Sequence, residues 1–176
     1  MKNAGKLLGV VVVLLLSFAT KGQKENVLMY GPNDNGKIYT SLEEALMEPE
    51  RVYRLKLNKL TKRDSLPEEL FQLTELRELT VKGCRLCIVN QNISKLQRLQ
   101  VLNLDKNKLL RLPETIGELH DLRMLVVSRN ILETFPESIS QLKCLTTIDA
   151  WDNPLYVLPE SITALQKTLK TLDLRQ

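Results

Sequence analysis

The amino-acid sequence predicts an α/β solenoid with a parallel sheet on one side and short helical segments on the other. Three observations predict this fold. The 176-residue chain contains 36 leucines but only 5% aromatic residues. The leucines recur about every 23 residues, and such a period is typical of stacked repeats whose neighbours bury one another's apolar faces. Within each unit, an alternating apolar segment is followed by a proline-led helical pattern.

Residues 1–22 are predicted to be an export signal. Two lysines precede an apolar run from Leu7 to Phe18, and small residues follow it, as in a cleavable signal peptide. The run is about a dozen residues long, whereas a membrane span needs about 20. We therefore expect cleavage after Ala19 or Gly22 and no stable membrane span afterwards, with an uncleaved anchor as the alternative.

The charge and composition exclude several classes of function. The formal net charge of +4 falls to +1 when residues 1–22 are removed with their three lysines, so a nucleic-acid partner is not predicted. One histidine, three cysteines and no glycine-rich phosphate loop supply little material for a metal site, a cofactor site or a catalytic centre. The chain is therefore predicted to be non-enzymatic, without cofactors.

Residues 23–51 are predicted to be a lead-in and an N-terminal cap. The lead-in is rich in turn residues, and Ser41-Leu42-Glu43-Glu44 forms a capping box that should open a helix. Pro49 should end that helix. An element of this kind covers the apolar end of the first repeat.

Residues 52–176 are predicted to form about five repeats and a final strand. Each unit opens with L-x-x-L-x-L-x-x-N-x-L, and its alternating leucines indicate a strand with one buried face. The asparagines, Asn107, Asn130 and Asn153, should satisfy backbone groups of adjacent turns and form a ladder. Cys84 stands where an earlier asparagine is expected and should support the ladder less well.

The second half of most units reads L-P-E-x-[LI] and predicts a short helical segment. Proline should begin the first helical turn, and the glutamate after it meets the positive end of the helix dipole. One unit has Asn90 in place of proline, and we expect its segment to be capped by asparagine and more irregular.

These motifs resemble the leucine-rich repeat family from about Val52 to the end of the chain. The stretch from Tyr39 to Leu55 is similar to the lead-in of leucine-rich repeat proteins exported by bacteria. The L-P-E-x-[LI] units are also similar to the small-GTPase-associated and plant intracellular branches, which carry no signal peptide. The resemblance implies a right-handed leucine-rich repeat horseshoe with a binding surface on its concave sheet, built from the outward positions of each strand.

The outward positions combine an apolar centre with charged ends. They include Asp105 and Ser128, and basic residues prevail in the early strands. Such a face favours a protein or peptide partner over a polyanion. The candidate protein-binding residues are Val101, Met124, Val126, Arg129, Asp149, Trp151 and Asp152. The alternatives are a solvated face without a specific partner and, for Trp151, a lid packed over the adjacent strand.

The sequence thus predicts a secreted, periplasmic or cell-envelope protein that binds a protein or peptide. The alternative is a structural or assembly protein that forms a homodimer through an uncapped C-terminal end after Leu174, or else a truncated form of a longer ancestor. We predict three free thiols, with Cys84 buried, and a bridge from Cys84 to Cys87 as the alternative. His120 is predicted to be a solvated surface residue.

Overall fold

The structure, a computed structural model, describes residues 36–60 and 64–175. The predicted export signal over residues 1–22 and the first part of the lead-in lie outside the described residues. Within the described part of the chain, no helix is both long and apolar enough to cross a bilayer.

Six short strands form one parallel sheet in chain order, which confirms the predicted solenoid. Leu102 aligns with Leu79 on one side and with Leu125 on the other, so each strand lies one repeat from the next. The leucines that alternate inward in the first four strands are buried, as the period-two pattern predicts, and Leu172 in the last strand is half-buried. The strands are β1 (Arg54–Leu57), β2 (Glu78–Val81), β3 (Val101–Asn103), β4 (Met124–Val126), β5 (Thr147–Asp149) and β6 (Thr171–Asp173).

The convex segments are 3-10 helices, and their prolines lie one position earlier than expected. Pro113, for example, is the N-cap, with an extended ψ of 153°, and Glu114 is the first helical residue. A segment of five residues closes with i to i+3 bonds, such as Leu70 N to Pro67 O at 3.1 Å, because this tighter turn suits a short connection. The 3-10 helices are Pro49–Arg51, Glu68–Gln72, Gln91–Lys95, Glu114–Glu118, Glu137–Gln141 and Glu160–Lys167.

The unit without proline is as regular as the others, so the expected irregularity is wrong. Its 3-10 helix, Gln91–Lys95, is as long as the helices that follow proline in the neighbouring repeats. The Asn90 side chain accepts a hydrogen bond from the Asn92 amide at 2.8 Å. An N-cap asparagine satisfies one amide of the first turn, which explains why proline is dispensable here.

The N-terminal cap contains the predicted helix in a shorter form. Helix α1 covers only Leu42–Ala45, and Ser41 accepts a bond from the Glu44 amide at 3.4 Å. The helix ends before Pro49, which instead begins a 3-10 turn. Tyr39 pairs with β1 in parallel, since its amide donates to Arg54 O at 3.0 Å and its carbonyl accepts from the Lys56 amide at 2.8 Å.

The asparagine ladder is present in the three repeats that carry asparagine. The Asn130 carbonyl oxygen accepts from the Leu109 amide at 3.0 Å, and its amide nitrogen donates to the carbonyls of Leu104 at 3.1 Å and Val127 at 2.8 Å. Asn107 and Asn153 make corresponding bonds one repeat to either side. Each asparagine therefore joins two repeats through backbone groups that would otherwise be buried without partners.

Cys84 takes the place of asparagine and points its thiol at the same kind of acceptor. Its Sγ lies 3.6 Å from Leu57 O and 3.5 Å from Lys82 O. The side chain is 6% exposed, in agreement with the prediction that it is buried. Cys84, Cys87 and Cys144 are all free in the structure.

Candidate binding surface

The exposed face of the sheet consists of three rows of side chains, each running across the repeats. The first row begins at Arg54 and the second at Lys56, and both follow the strand register. The third row lies just beyond the strands, where backbone bonds continue the ladder, such as Arg129 N to Trp151 O at 2.9 Å. The rows are Arg54, Glu78, Val101, Met124, Thr147 and Thr171; Lys56, Thr80, Asn103, Val126, Asp149 and Asp173; and Asn58, Lys82, Asp105, Ser128, Trp151 and Arg175.

Four candidate residues follow one diagonal across these rows, and we call them the apolar strip: Val101, Met124, Val126 and Trp151. Val101 lies directly opposite Met124 in the first row. Val126 is in the second row, opposite Asp149, and Trp151 follows Asp149 in the third row. Met124 is 39% exposed and the other three are half-buried. The strip therefore presents apolar surface across three neighbouring strands.

Asp105 lies in the third row of the exposed face, as expected, but the side chains around it bury it. Only 3% of the residue is exposed. Its carboxylate accepts hydrogen bonds from the Ser128 hydroxyl at 3.0 Å and from Arg129 Nε at 2.8 Å, and a further Arg129 nitrogen bonds the second oxygen. Lys82 Nζ lies 2.9 Å from the carboxylate. These donors surround the carboxylate and account for its low exposure, and a buried charge with several donors is tolerated.

These donors stabilise the ionised form of Asp105. Burial raises the pKa of this carboxyl, but the hydrogen bonds from Arg129, Lys82 and Ser128 outweigh burial and hold the pKa at about 2. Asp105 is therefore charged at neutral pH. Its one negative charge offsets one of the two positive charges of Lys82 and Arg129, so this part of the face is less cationic than its two basic residues alone indicate.

Arg129 lies at a left-handed turn that follows β4. Arg129 has a φ of 53°, and Gly83, Lys106 and Asp152 have similar positive values at the corresponding turns. Left-handed backbone is costly for residues other than glycine. From this turn the Arg129 guanidinium bonds Asp105 in the preceding repeat and lies 5.1 Å from the centre of the Trp151 ring.

Trp151 lies on the exposed face beside Arg129. Its side chain is half-buried, and the Arg129 guanidinium lies over its ring in a cation–π arrangement. The ring is thus supported by a residue that is itself held by Asp105. The contact of Asp105 with Arg129 and that of Arg129 with Trp151 together hold the tryptophan ring in position on the exposed face.

The acidic end of the face has fewer carboxylates left for a partner than the sequence indicates. Asp173 forms close bonds with Arg175, including Nε to Oδ1 at 2.9 Å, so its charge is satisfied within its own repeat. Burial raises the pKa of Asp149, whose one hydrogen bond comes from the Trp151 amide at 3.4 Å. Asp152 is exposed. Asp149 and Asp152 are therefore the carboxylates left to face a partner.

The four residues Lys82, Asp105, Ser128 and Arg129 contact one another in a cluster. The sequence analysis did not predict this cluster. The period of about 23 residues places Lys82, Asp105, Ser128 and Trp151 in one row. This spacing was the sequence signal that the first three are neighbours. The burial of Asp105 had no signal in the sequence, because it depends on how the side chains of Lys82, Ser128 and Arg129 pack around its carboxylate.

The exposed face of the sheet offers groups for binding a partner. His120 is exposed, as predicted. Among residues 36–60 and 64–175, no group of three or more histidine, cysteine or acidic residues is arranged to hold a metal ion. The arrangement can offer apolar contact from the strip, cation and aromatic contact from Arg129 and Trp151, and hydrogen-bond acceptors from Asp149 and Asp152.

Comparison with protein families gives a match to the leucine rich repeat model over residues 97–155. Comparison with curated proteins gives no match.

Solved structures of repeat proteins are similar to this chain. A leucine-rich repeat protein of Leptospira interrogans is 31% identical over 78% of this chain, with a TM-score of 0.64. A TDR receptor is 31% identical over 68% of this chain, with a TM-score of 0.56. The PEPR1-AtPEP1 structure is 22% identical over 73% of this chain, with a TM-score of 0.60, and shows likeness of fold alone. The matched part spans 40%, 20% and 19% of those chains, respectively.

Proposed function

Because this chain is a leucine-rich repeat protein, we propose that it is a non-enzymatic module that binds a protein or peptide on the exposed face of its sheet. The observation that carries the proposal is the apolar strip, with the half-buried Trp151 supported by Arg129. Aromatic residues surrounded by charged groups are where binding energy concentrates at protein interfaces.

The charges beside the strip favour a partner with both apolar and cationic groups. Asp149 and Asp152 lie beside Trp151, and the ion pairs around Asp105 and Asp173 are already satisfied. A cationic side chain of the partner would meet Asp149 while an apolar neighbour covers Met124 and Val126. Complementary charge of this kind sets the orientation and specificity of a complex.

The size of the face limits the affinity. Six strands about 4.8 Å apart, each with roughly 15 Å of exposed residues, offer on the order of 400 Å². A standard interface buries about 800 Å² on each partner. The complex is therefore weak, or the loops at the sheet edge contribute to it.

A pull-down with the chain lacking residues 1–22 tests this function. The bait is exposed to the native envelope and secreted fractions, in parallel with the Trp151→Ala variant. The expected result is a partner that the wild-type chain retains and the variant loses. Equal recovery with both baits would remove the exposed sheet face from the interaction.

The proposed location is outside the cytoplasm or in the cell envelope. It rests on the predicted export signal over residues 1–22. N-terminal sequencing of the native protein should give a start at Thr20 or Gln23. Recovery of the chain with Met1 intact from a cytoplasmic fraction would contradict this location.

Self-association through the last repeat is a second candidate function, favoured by one observation. Ile162, Leu172 and Leu174 are half-buried, whereas Ile139 and Ile148 in the preceding repeat are fully buried. Partly exposed apolar surface on a repeat can pair with another chain. Sedimentation showing no association at high concentration would exclude it.

A further inference from the structure

A second apolar surface lies outside the sheet, on the loops that leave the strands. Its side chains are large and well exposed: Ile88 (59%), Leu110 (40%), Ile131 (49%), Tyr156 (63%) and Val157 (49%). We call the surface formed by residues 85–89, 108–112, 131–135 and 154–158 the loop face. These five side chains, each about half exposed, present on the order of 400 Å² of apolar surface, a size at which a patch is often functional.

The four loops are stacked in register, so these side chains form one surface. The Lys108 amide donates to Leu86 O at 2.7 Å, the Ile131 amide to Leu109 O at 3.1 Å, and the Tyr156 amide to Glu133 O at 3.2 Å. Each bond joins adjacent repeats, and together they hold all four loops side by side.

The charges on the loop face are divided between its two halves. The first two loops carry the exposed cations Arg85, Lys108 and Arg111. The last two loops carry Glu133, and Glu137 and Glu160 border the same open groove as Arg111 and Val157. Glu114 also borders this groove, but it accepts a bond from the Ser138 amide at 3.0 Å. Apolar residues occur in every loop, while the sign of the charge changes from cationic to anionic along the face.

We propose that the loop face is the interface of a homodimer in which two copies pack antiparallel about a two-fold axis. The axis lies between the loop of Leu110 and the loop of Ile131. This arrangement sets Arg111 of one copy against Glu133 of the other, twice, and it sets Ile88 against Tyr156 and Val157. A two-fold interface requires such self-complementarity, which a face of one charge would not have.

The area of the face determines the strength of the dimer. About 400 Å² of apolar surface on each copy lies below the roughly 800 Å² per partner of a standard interface. The dimer is therefore reversible, with a Kd on the order of 10–100 μM. It leaves the sheet face free, so dimerisation doubles the number of sheet faces in one particle.

Sedimentation velocity of the chain lacking residues 1–22, in reducing buffer, tests the dimer. The expected result is a concentration-dependent monomer–dimer equilibrium that Ile131→Asp weakens at least about tenfold, because each substitution occurs twice at a two-fold interface. Met47→Asp is the matched control, since Met47 is 82% exposed on the N-terminal cap. Circular dichroism of both variants confirms folding.

A charge exchange distinguishes this arrangement from other modes of association. Arg111→Glu and Glu133→Arg should each be monomeric alone, because like charges then face each other across the axis. An equimolar mixture of the two variants should form heterodimers, since every facing pair is again of opposite sign. Restored association in the mixture is specific to the antiparallel pairing.

Three results would overturn the proposal: a wild-type chain that stays monomeric up to about 1 mM, an Ile131→Asp variant that dimerises like the wild type, or single charge variants that dimerise unmixed. A dimer that survives Ile131→Asp would point to the last repeat. The Trp151→Ala variant should dimerise normally, so loss of the sheet-face function and loss of the dimer are separable.

Discussion

Arg129 and Asp105 lie 24 positions apart in the chain and in adjacent repeats, yet the guanidinium of one binds both carboxylate oxygens of the other. The same guanidinium lies over the ring of Trp151 in the next repeat. A charge buried in one repeat therefore orients an aromatic side chain two strands away. The candidate binding surface depends on this chain of contacts as much as on its exposed residues.

Asp105 should stabilise the fold in a pH-dependent way. Its pKa is lowered from 3.8 to about 2 in the folded chain, so its contribution is complete above about pH 4 and is lost as the pH falls towards 2. We expect Asp105→Asn to lower the free energy of unfolding by up to about 2 kcal/mol at pH 7. Urea unfolding at pH 7, 4, 3 and 2 should show the difference from wild type shrinking at the acidic end. A difference independent of pH would contradict the ionised state.

Trp151→Ala should weaken partner binding by about 2 kcal/mol or more. The melting temperature should change little, because the ring is half-buried and its cation–π contact with Arg129 is worth about 0.5–1 kcal/mol. Isothermal titration with the recovered partner measures the first quantity and thermal unfolding the second. Tyr156→Ala, an exposed aromatic on the loop face, is the matched control and should bind normally. A large loss of stability with unaltered affinity would assign Trp151 to packing.

Asn130→Ala should be among the most destabilising single changes, by about 3 kcal/mol, because it leaves buried backbone groups of two repeats without partners. Cys84→Ala should cost only about 1 kcal/mol, since a thiol at 3.5–3.6 Å from its acceptors makes weak hydrogen bonds. Chemical unfolding of the two variants compares these costs. Equal losses of unfolding free energy in the two variants would show that the asparagine side-chain amide stabilises the ladder no more than the thiol does.

Gly117→Ala should destabilise the convex side by about 2 kcal/mol. A Cβ at this position would meet Ser138 O at 2.5 Å and Ser138 Cβ at 2.7 Å, so the adjacent 3-10 helices would have to separate. The control is Gly83→Ala, where the nearest atom is 4.0 Å away and the cost is confined to a φ of +66°, about 1 kcal/mol. Thermal unfolding should give Gly117→Ala a lower melting temperature than Gly83→Ala. The reverse order would refute the close approach of residue 117 to Ser138.

The three thiols should react at different rates. Cys87 is exposed and should be modified rapidly in the folded chain, whereas Cys84 is buried and burial raises the pKa of its thiol, so it should react only after unfolding. Titration of the unfolded, unreduced protein should count three thiols. A count of one would show that two cysteines are bridged.

The sheet, its register and the asparagine ladder follow from the sequence because they depend on residue type at a fixed period. Leu102 and Asn130 occupy positions that can only be buried once the repeats stack. The form of the convex segments was less predictable, since five residues after proline suit a 3-10 turn as well as an α-turn. The buried state of Asp105 was not predictable, because alternation assigns it to the exposed face and does not say how closely the side chains of Lys82, Ser128 and Arg129 cover it.

The backbone of Tyr39 covers part of the outer edge of β1, the first strand of the sheet. Its backbone already occupies Arg54 O and the Lys56 amide on β1, so an incoming extended chain finds these two groups taken. Open strand edges are the templates on which amyloid-like fibrils grow. The few residues of the cap next to β1 thus protect this protein from polymerising through its first strand, at no cost to the faces that remain available for binding.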